Sequence, residues 1–243
     1  MFRILCLTLT LTLIANTEGT VANASVLVFG GTGQLGSEIV QDLLEDGTVV
    51  TVFVRPTSKK QRLEGLDVAY VTGDVLNEDD VETALKSGPY SVVIDALARD
   101  SGVDPTFYVD SMKYISKWAV ATKVKQVILH GSVGAGLSRP VYPEERWGDM
   151  AGTITAKDHG ERHLIESGAP YTIIRNLVLL PHEVKESGAA ELTTDQSARG
   201  VVTRDGVARL TLECMDNSDC INEIFHAIDP DVKRPGRWGE GID

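Results

Sequence analysis

Three sets of residues in this chain have types and spacings that could do chemistry. The first is Gly30-Gly31-Thr32-Gly33-Gln34-Leu35-Gly36. Residues 26–29 run apolar into Gly30, and beyond Gly33 the apolar residues Leu35, Ile39 and Leu43 recur every four positions, so the period changes from strand to helix across the glycines. A strand, a glycine turn and a helix start make a pyrophosphate cradle. Gly30 allows the tight turn, Gly33 lets the backbone approach the phosphates, and Gly36 lets the helix lie close to the strand, while the first free N–H groups of the helix face the anion. Thr32, Gln34 and Leu35 complete this expected contact set. The second set is a basic island: Arg55, then Ser58, Lys59, Lys60 and Arg62. The third is Ser132, in a polar, glycine-rich bend after an apolar run, together with Lys157 on a helix expected over 154–167.

The elements that must position these residues alternate along the chain. Strands are expected at 49–54, 67–75, 91–98, 126–134, 171–175 and 221–228, in addition to the one that enters the glycine turn. Helices are expected after Gly33, around Val81, Ala84 and Leu85, over 105–122, over 154–167 and around 207–214. Residues 137–152 and 176–200 read as irregular; the first of these, with Tyr142, Arg146 and Trp147, could line a pocket or only connect elements. Strands alternating with helices predict an α/β fold, a Rossmann-type doubly wound, mainly parallel sheet with helices on both faces, in a single domain. In such a sheet the end of the second strand lies beside the adenosine ribose, where an Arg accepts a 2′-phosphate. Arg55 stands 19 positions after Gly36, at that strand end. Arg55 and Lys59 therefore predict NADP(H) rather than NAD; a merely solvated basic loop is the alternative. The small residue Ala96, beside Leu97 at the end of the fourth strand, leaves room for the cofactor.

A chain of 243 residues with 42% hydrophobic and 24% charged content is long enough for one such domain. Its net charge of −12 argues against nucleic-acid or anionic-membrane surfaces, which are bound by clustered Lys and Arg. A small-molecule substrate is the expected partner. The N-terminus differs in kind: Arg3, an apolar run over 4–14 broken only by threonines, and a polar stretch ending in small residues at 22–24 have the layout of a secretory signal peptide. Residues 1–24 are expected to be removed, leaving 25–243 as the domain, with no stable membrane span and a secreted or periplasmic location; a cytoplasmic one follows if the N-terminus is not a signal. Cys214 and Cys220 would then be the remaining cysteines, a pair that an oxidising compartment could join. The histidines show no metal-ligand spacing supported by Cys or carboxylate partners, so no metal site is expected.

The G-x-x-G-x-x-G spacing resembles the short-chain dehydrogenase/reductase superfamily, especially its extended and atypical branches. Those enzymes usually handle the reacting proton with a Tyr made acidic by a Lys four residues later on the same helix face. This chain has no Tyr-x-x-x-Lys; Thr153 stands four residues before Lys157. Lys157-x-x-x-Glu161-x-x-Leu164, Ser167-Gly168-x-x-Tyr171-Thr172-Ile173-Ile174-Arg175, Gly73-Asp74-Val75 and Val127 to Ser132 are similar to the atypical branch that includes NmrA-like proteins and flavin/biliverdin-IXβ reductases, over about residues 25–228. Two positions depart from that pattern. Asn176 stands where a Pro commonly follows the strand-end Arg, and Gly206 stands where an Asp opens the late helix.

The resemblance implies that Asp74, with Val75 beside it, meets the adenine amino group; a turn-capping role is the alternative for Asp74. It puts Ser132 near the nicotinamide and acceptor, and Lys157 where it touches the nicotinamide ribose or a substrate anion. The implied activity is hydride transfer from NADPH to a small planar or carbonyl acceptor without a Tyr-Lys pair. A non-catalytic NADP-binding sensor or scaffold is the alternative, and a sugar epimerase a weaker one, because it relies on the same tyrosine.

Overall fold

The computed structural model describes residues 25–232; the expected leader, 1–24, lies outside the described residues. In chain order the elements are β1 (Ser25–Phe29), α1 (Gln34–Glu45), β2 (Val49–Val54), β3 (Ala69–Thr72), α2 (Glu78–Lys86), β4 (Val92–Asp95), α3 (Phe107–Ala121), β5 (Gln126–Ser132), α4 (Glu144–Ser167), β6 (Tyr171–Asn176), β7 (Val178–Leu179), β8 (Glu191–Thr193), β9 (Val201–Val202), α5 (Arg204–Glu213) and β10 (Glu223–Ile228). Eight strands form one sheet in the order β3-β2-β1-β4-β5-β6-β10-β8, and β7 pairs with β9 in a second, short sheet. All pairings in the large sheet are parallel except that of β8, which closes the edge antiparallel to β10. Strand order reverses between β1 and β4. In an open parallel sheet that reversal opens a crevice at the strand carboxyl ends.

The strands read as continuous apolar runs because both faces are covered. Successive side chains point to opposite faces, and the core divides accordingly. Val26, Val28, Val92, Ile94, Ile128 and Ile174 pack with Ile39, Val40 and Leu43 of α1 and with Val207, Ala208 and Leu210 of α5. Leu27, Phe29, Val93, Val127 and Ile173 pack with Val81 and Leu85 of α2, Met112 and Ile115 of α3, and Leu164 of α4. The doubly wound expectation is met, with helices on both faces. Cys214 and Cys220 are joined by a disulfide, their Cα atoms 5.4 Å apart. The bond ties the end of α5 to the turn before β10, far in sequence from the glycine turn.

One boundary differs substantially from expectation. α4 starts at Glu144 rather than 154, so half of the stretch read as irregular is helical. Its first turn carries Glu144 and Glu145 behind an extended Pro143, an arrangement that suits the positive end of a helix. Arg146, Gly148, Asp149 and Met150 are exposed, so this extension buries no apolar stripe and has no 3.6-residue pattern to read.

Candidate active site

The glycine turn is made almost entirely by backbone. Gly33 N–H donates to Gly30 O at 2.9 Å, and Ser37 N–H to Gly33 O at 3.0 Å. Gly30 has φ +79°, and a Cβ there would stand 2.5 Å from Ala96 O; a Cβ on Gly36 would stand 2.3 Å from Gly30 O. Only glycine fits either place. Thr32 and Gly33 are at the surface, Leu35 and Gly36 are buried under the turn, and Gln34 opens α1. α1 has neither a side-chain cap nor an acidic residue in its first turn. The other four α-helices all carry acid there: Glu78, Asp79 and Asp80 in α2, Asp110 in α3, Glu144 and Glu145 in α4, and Asp205 in α5. A helix start without acid or side-chain cap, behind a turn packed so closely that Gly30 and Gly36 admit no Cβ, suits a pyrophosphate.

Just past the carboxyl end of β2, Arg55 is exposed and its Nη1 donates to Asp100 Oδ2 at 2.8 Å. Its backbone N–H donates to Ser58 Oγ at 3.0 Å, which folds the basic loop back on the strand end. Lys59 is exposed, and Lys60 lies over the Tyr70 ring, 4.1 Å from its centroid. The guanidinium that reaches the glycine turn is that of Arg62, donating to Thr32 O at 3.4 Å. Sequence spacing singled out Arg55 and Lys59; Arg62 is brought in by the single 3₁₀ turn Gln61–Leu63, whose Leu63 is buried against the core. Asp74 Oδ1 accepts the Leu76 N–H at 2.9 Å, so this carboxylate does cap a turn, while Val75 is buried in the core.

Past the switch point, Ala96 N–H donates to Phe29 O at 3.0 Å and Leu97 N–H to Asp95 Oδ1 at 2.8 Å. Asp95, Tyr108, His130, Lys157 and Glu161 surround a recess with room for no more than about one water, roughly 10 Å³. Burial pushes Asp95 up to about 6, against the Leu97 N–H and the Lys157 charge. Burial also lowers Lys157, against Asp95 and Glu161. The Lys157 ammonium sits over the Tyr108 ring, 4.8 Å from its centroid. Burial drives His130 down to about 3, so its ring is neutral at any physiological pH. Thr153, the residue at the usual tyrosine position, accepts from Arg99 Nη2 at 2.9 Å.

Ser132 belongs to a different hollow. A cleft of about 180 Å³ is walled by Val133, Val141, Tyr142, Pro143, Leu177 and Val178, with Ser132, Arg146 and Arg199 at its polar edge. The structure therefore separates the two expected catalytic groups: Ser132 lines the open cleft and Lys157 the closed recess. Beneath them lies a buried ion pair. Arg175 Nη2 donates to Glu161 Oε2 at 2.7 Å, with the side chains 5% and 2% exposed. Arg175 Nη1 also donates to Gln196 Oε1 at 2.6 Å, and a Cβ on Gly136 would stand 2.7 Å from Arg175 Nη2. The guanidinium thus props the loop that follows Ser132. Ser138 Oγ secures the same loop, accepting from Gly134 N–H at 2.9 Å and donating to Ala135 O at 2.7 Å. Arg199 was not visible in the sequence, because it comes from an irregular segment returned to the site by the short β7–β9 pairing.

A doubly wound parallel sheet with a glycine turn at its switch point is the architecture of Rossmann-type dinucleotide-binding proteins. The family described as NAD(P)H-binding matches residues 30–218, and the chain belongs to it. Sanguinarine reductase of Eschscholzia californica is 26% identical over 247 residues, covering 83% of this chain and 87% of the relative. A protein named as an uncharacterized sugar epimerase, YhfK of Bacillus subtilis, is 26% identical across 85% of this chain and 95% of its own. Among solved structures, ChuY of Escherichia coli O157:H7, described as an anaerobillin reductase, superposes with a TM-score of 0.76 at 23% identity, over 87% of this chain and all of that one. A short-chain dehydrogenase/reductase of Veillonella parvula in complex with NADP has a TM-score of 0.70 at 17% identity, over 88% and 99% of the two chains.

Proposed function

We propose that this protein is an NADPH-dependent reductase that passes hydride to a small planar or carbonyl acceptor lying in the cleft beside Ser132. The observation that carries this reading is the placement of a phosphate cradle and an apolar cleft along one carboxyl edge of one sheet. A bound reduced nicotinamide supplies the hydride; the acceptor gains it with two electrons, and the accompanying proton comes from solvent. Gly30 to Gly36 hold the pyrophosphate, and Arg55, with Arg62 beside it, meets the 2′-phosphate. Ser132 Oγ–H, which donates to Val133 O at 3.1 Å, can instead turn to hydrogen-bond an acceptor oxygen or nitrogen. Lys157, within its recess, sets the charge under the nicotinamide ribose. Asp74 and Val75 border the adenine.

The test is calorimetric titration with NADPH and NADH, followed by an acceptor screen. Wild-type protein binds NADPH more tightly, and Arg55→Ala weakens NADPH by about 1.5–3 kcal/mol while leaving NADH nearly unchanged. Equal weakening of both would refute the phosphate assignment, and no NADPH binding would end the proposal. Thr153 in place of the tyrosine, already engaged by Arg99, favours a second reading as a cofactor sensor. That reading predicts NADPH binding without turnover of any flavin, quinone or carbonyl. Export is part of the proposal and is supported by the Cys214–Cys220 bond, since such bonds persist outside the reducing cytosol. Two free thiols in secreted material, read by non-reducing mass spectrometry, would remove that support.

A further inference from the structure

The composition of the cleft's lining narrows the acceptor further. Among the described residues that line it, the polar side chains apart from Ser132 and Tyr142 are two guanidiniums, Arg146 and Arg199, and none is a carboxylate. In a chain of net charge −12, with 35 acidic residues against 23 basic ones, a hollow whose described charged residues are both cationic departs from the overall balance. The two arginines come from separate elements: Arg146 from the first turn of α4, Arg199 from the segment before β9. The remaining walls are aliphatic, from Val133, Val141, Leu177 and Val178, with the Tyr142 ring among them. Tyr142 is held in place from behind, since a Cβ on Gly134 would stand 2.9 Å from its ring and its edge meets Trp147 at 5.9 Å between centroids. Burial raises the Tyr142 hydroxyl, and Arg146 opposes that shift, which places the Arg146 charge within electrostatic reach of the ring that forms the wall.

We infer that the cleft beside Ser132 takes a flat apolar molecule bearing an anionic substituent, a carboxylate or sulfonate, with Arg146 and Arg199 as its anchors. A guanidinium pairs with such a planar oxyanion through two parallel hydrogen bonds, and two of them from separate elements restrict the ring's orientation as well as raising its affinity. The apolar walls favour the ring itself through burial. Neutral analogues of the same ring lack the anchor, and cationic ones also meet like charge.

This inference rests on the reductase reading for the cleft's purpose, but it is tested by binding alone. Protein saturated with NADP⁺ is titrated with 2-naphthalenesulfonate, 2-naphthylmethanol and 2-naphthylmethylammonium, following tryptophan fluorescence at low salt. The sulfonate binds about tenfold more tightly than the alcohol, as expected when a charged hydrogen bond is added, and the ammonium binds more weakly than either. Arg146→Gln and Arg199→Gln each reduce the preference for sulfonate over alcohol about threefold to tenfold, and the double variant abolishes it, with the affinity for NADPH unchanged in all three. Both side chains are exposed, so neither substitution opens the core. Equal binding of sulfonate and alcohol, a sulfonate that does not bind, or a preference that survives the double substitution would overturn the inference. NADPH titration of the same samples separates this from the reading it rests on. Protein that binds NADPH without preferring the sulfonate refutes the anionic acceptor alone, whereas protein that binds no NADPH refutes the reductase itself.

Discussion

The two halves of the ligand edge are built from different materials. The glycine turn between β1 and α1 is backbone from seven consecutive residues, and its requirement is the absence of side chains. The half around Ser132 and Lys157 is built from side chains of β4, β5, α3, α4, β6 and the segment before β9, and its requirement is that buried charges find one another. The first half is set by local chain geometry. The second depends on a network of burial and charge, so the two halves should fail in different ways when altered.

Removing Arg175 should show this most strongly. Arg175→Met leaves Glu161 buried without its partner and should cost about 3–5 kcal/mol of stability, seen as a lowered midpoint in urea unfolding. If the variant is as stable as wild type, the second half does not depend on that pair. Asp95 offers a test in the other direction. Its folded pKa, raised by burial to about 6, lies above the usual carboxylate value, so the folded state binds the proton more tightly than the unfolded chain. Asp95 therefore makes no demand at low pH, and stability falls as pH rises from about 4 through about 6. Asp95→Asn, whose amide oxygen can still accept the Leu97 N–H, should remove that slope and raise stability at pH 7.5 by up to about 3 kcal/mol. Unchanged pH dependence in the variant would show that Asp95 is not the titrating group.

In the first half, Gly36→Ala pushes a methyl into Gly30 O and should cost about 1–3 kcal/mol of stability while abolishing measurable NADPH binding. Retained NADPH affinity would mean that the turn is not the cradle. The smallest effect is expected at Asp100, whose exposed pair with Arg55 would, on the proposed reading, be exchanged for the 2′-phosphate. Asp100→Ala should tighten NADPH by less than about 1 kcal/mol and leave NADH alone. Tightening of both cofactors equally would place Asp100 elsewhere in the site.

The difference between the halves also explains what could be read without a structure. Gly30, Gly33 and Gly36 announce themselves because strand, turn and helix follow one another within a short stretch, and each glycine answers a local need. The central strands were legible for the same reason, since burial on both faces writes continuous apolar runs such as Val92-Val93-Ile94. By contrast, β7 and β8 lie in the stretch read as irregular and, with β9, are two or three residues long and leave too short a run to read. Glu161 and Arg175 stood out as a spacing, but their meeting under the Ser132 loop is a tertiary fact. The start of α4 at Glu144 escaped because an exposed helix has no apolar stripe. Arg62 was seen only as one cation in a run, and its reach to Thr32 O depends on Leu63 anchoring the turn that carries it.

By itself the sequence determined the doubly wound fold, the glycine turn and the basic strand end, because each is encoded by neighbours along the chain acting through backbone geometry and periodic burial. Only the tertiary structure decided that Ser132 and Lys157 occupy separate hollows, that Lys157 shares its recess with Asp95 and Tyr108, and that Arg146 and Arg199 come together on one cleft. Those are relations between residues far apart in the chain, and they are fixed by how helices pack across the sheet, which no local pattern records.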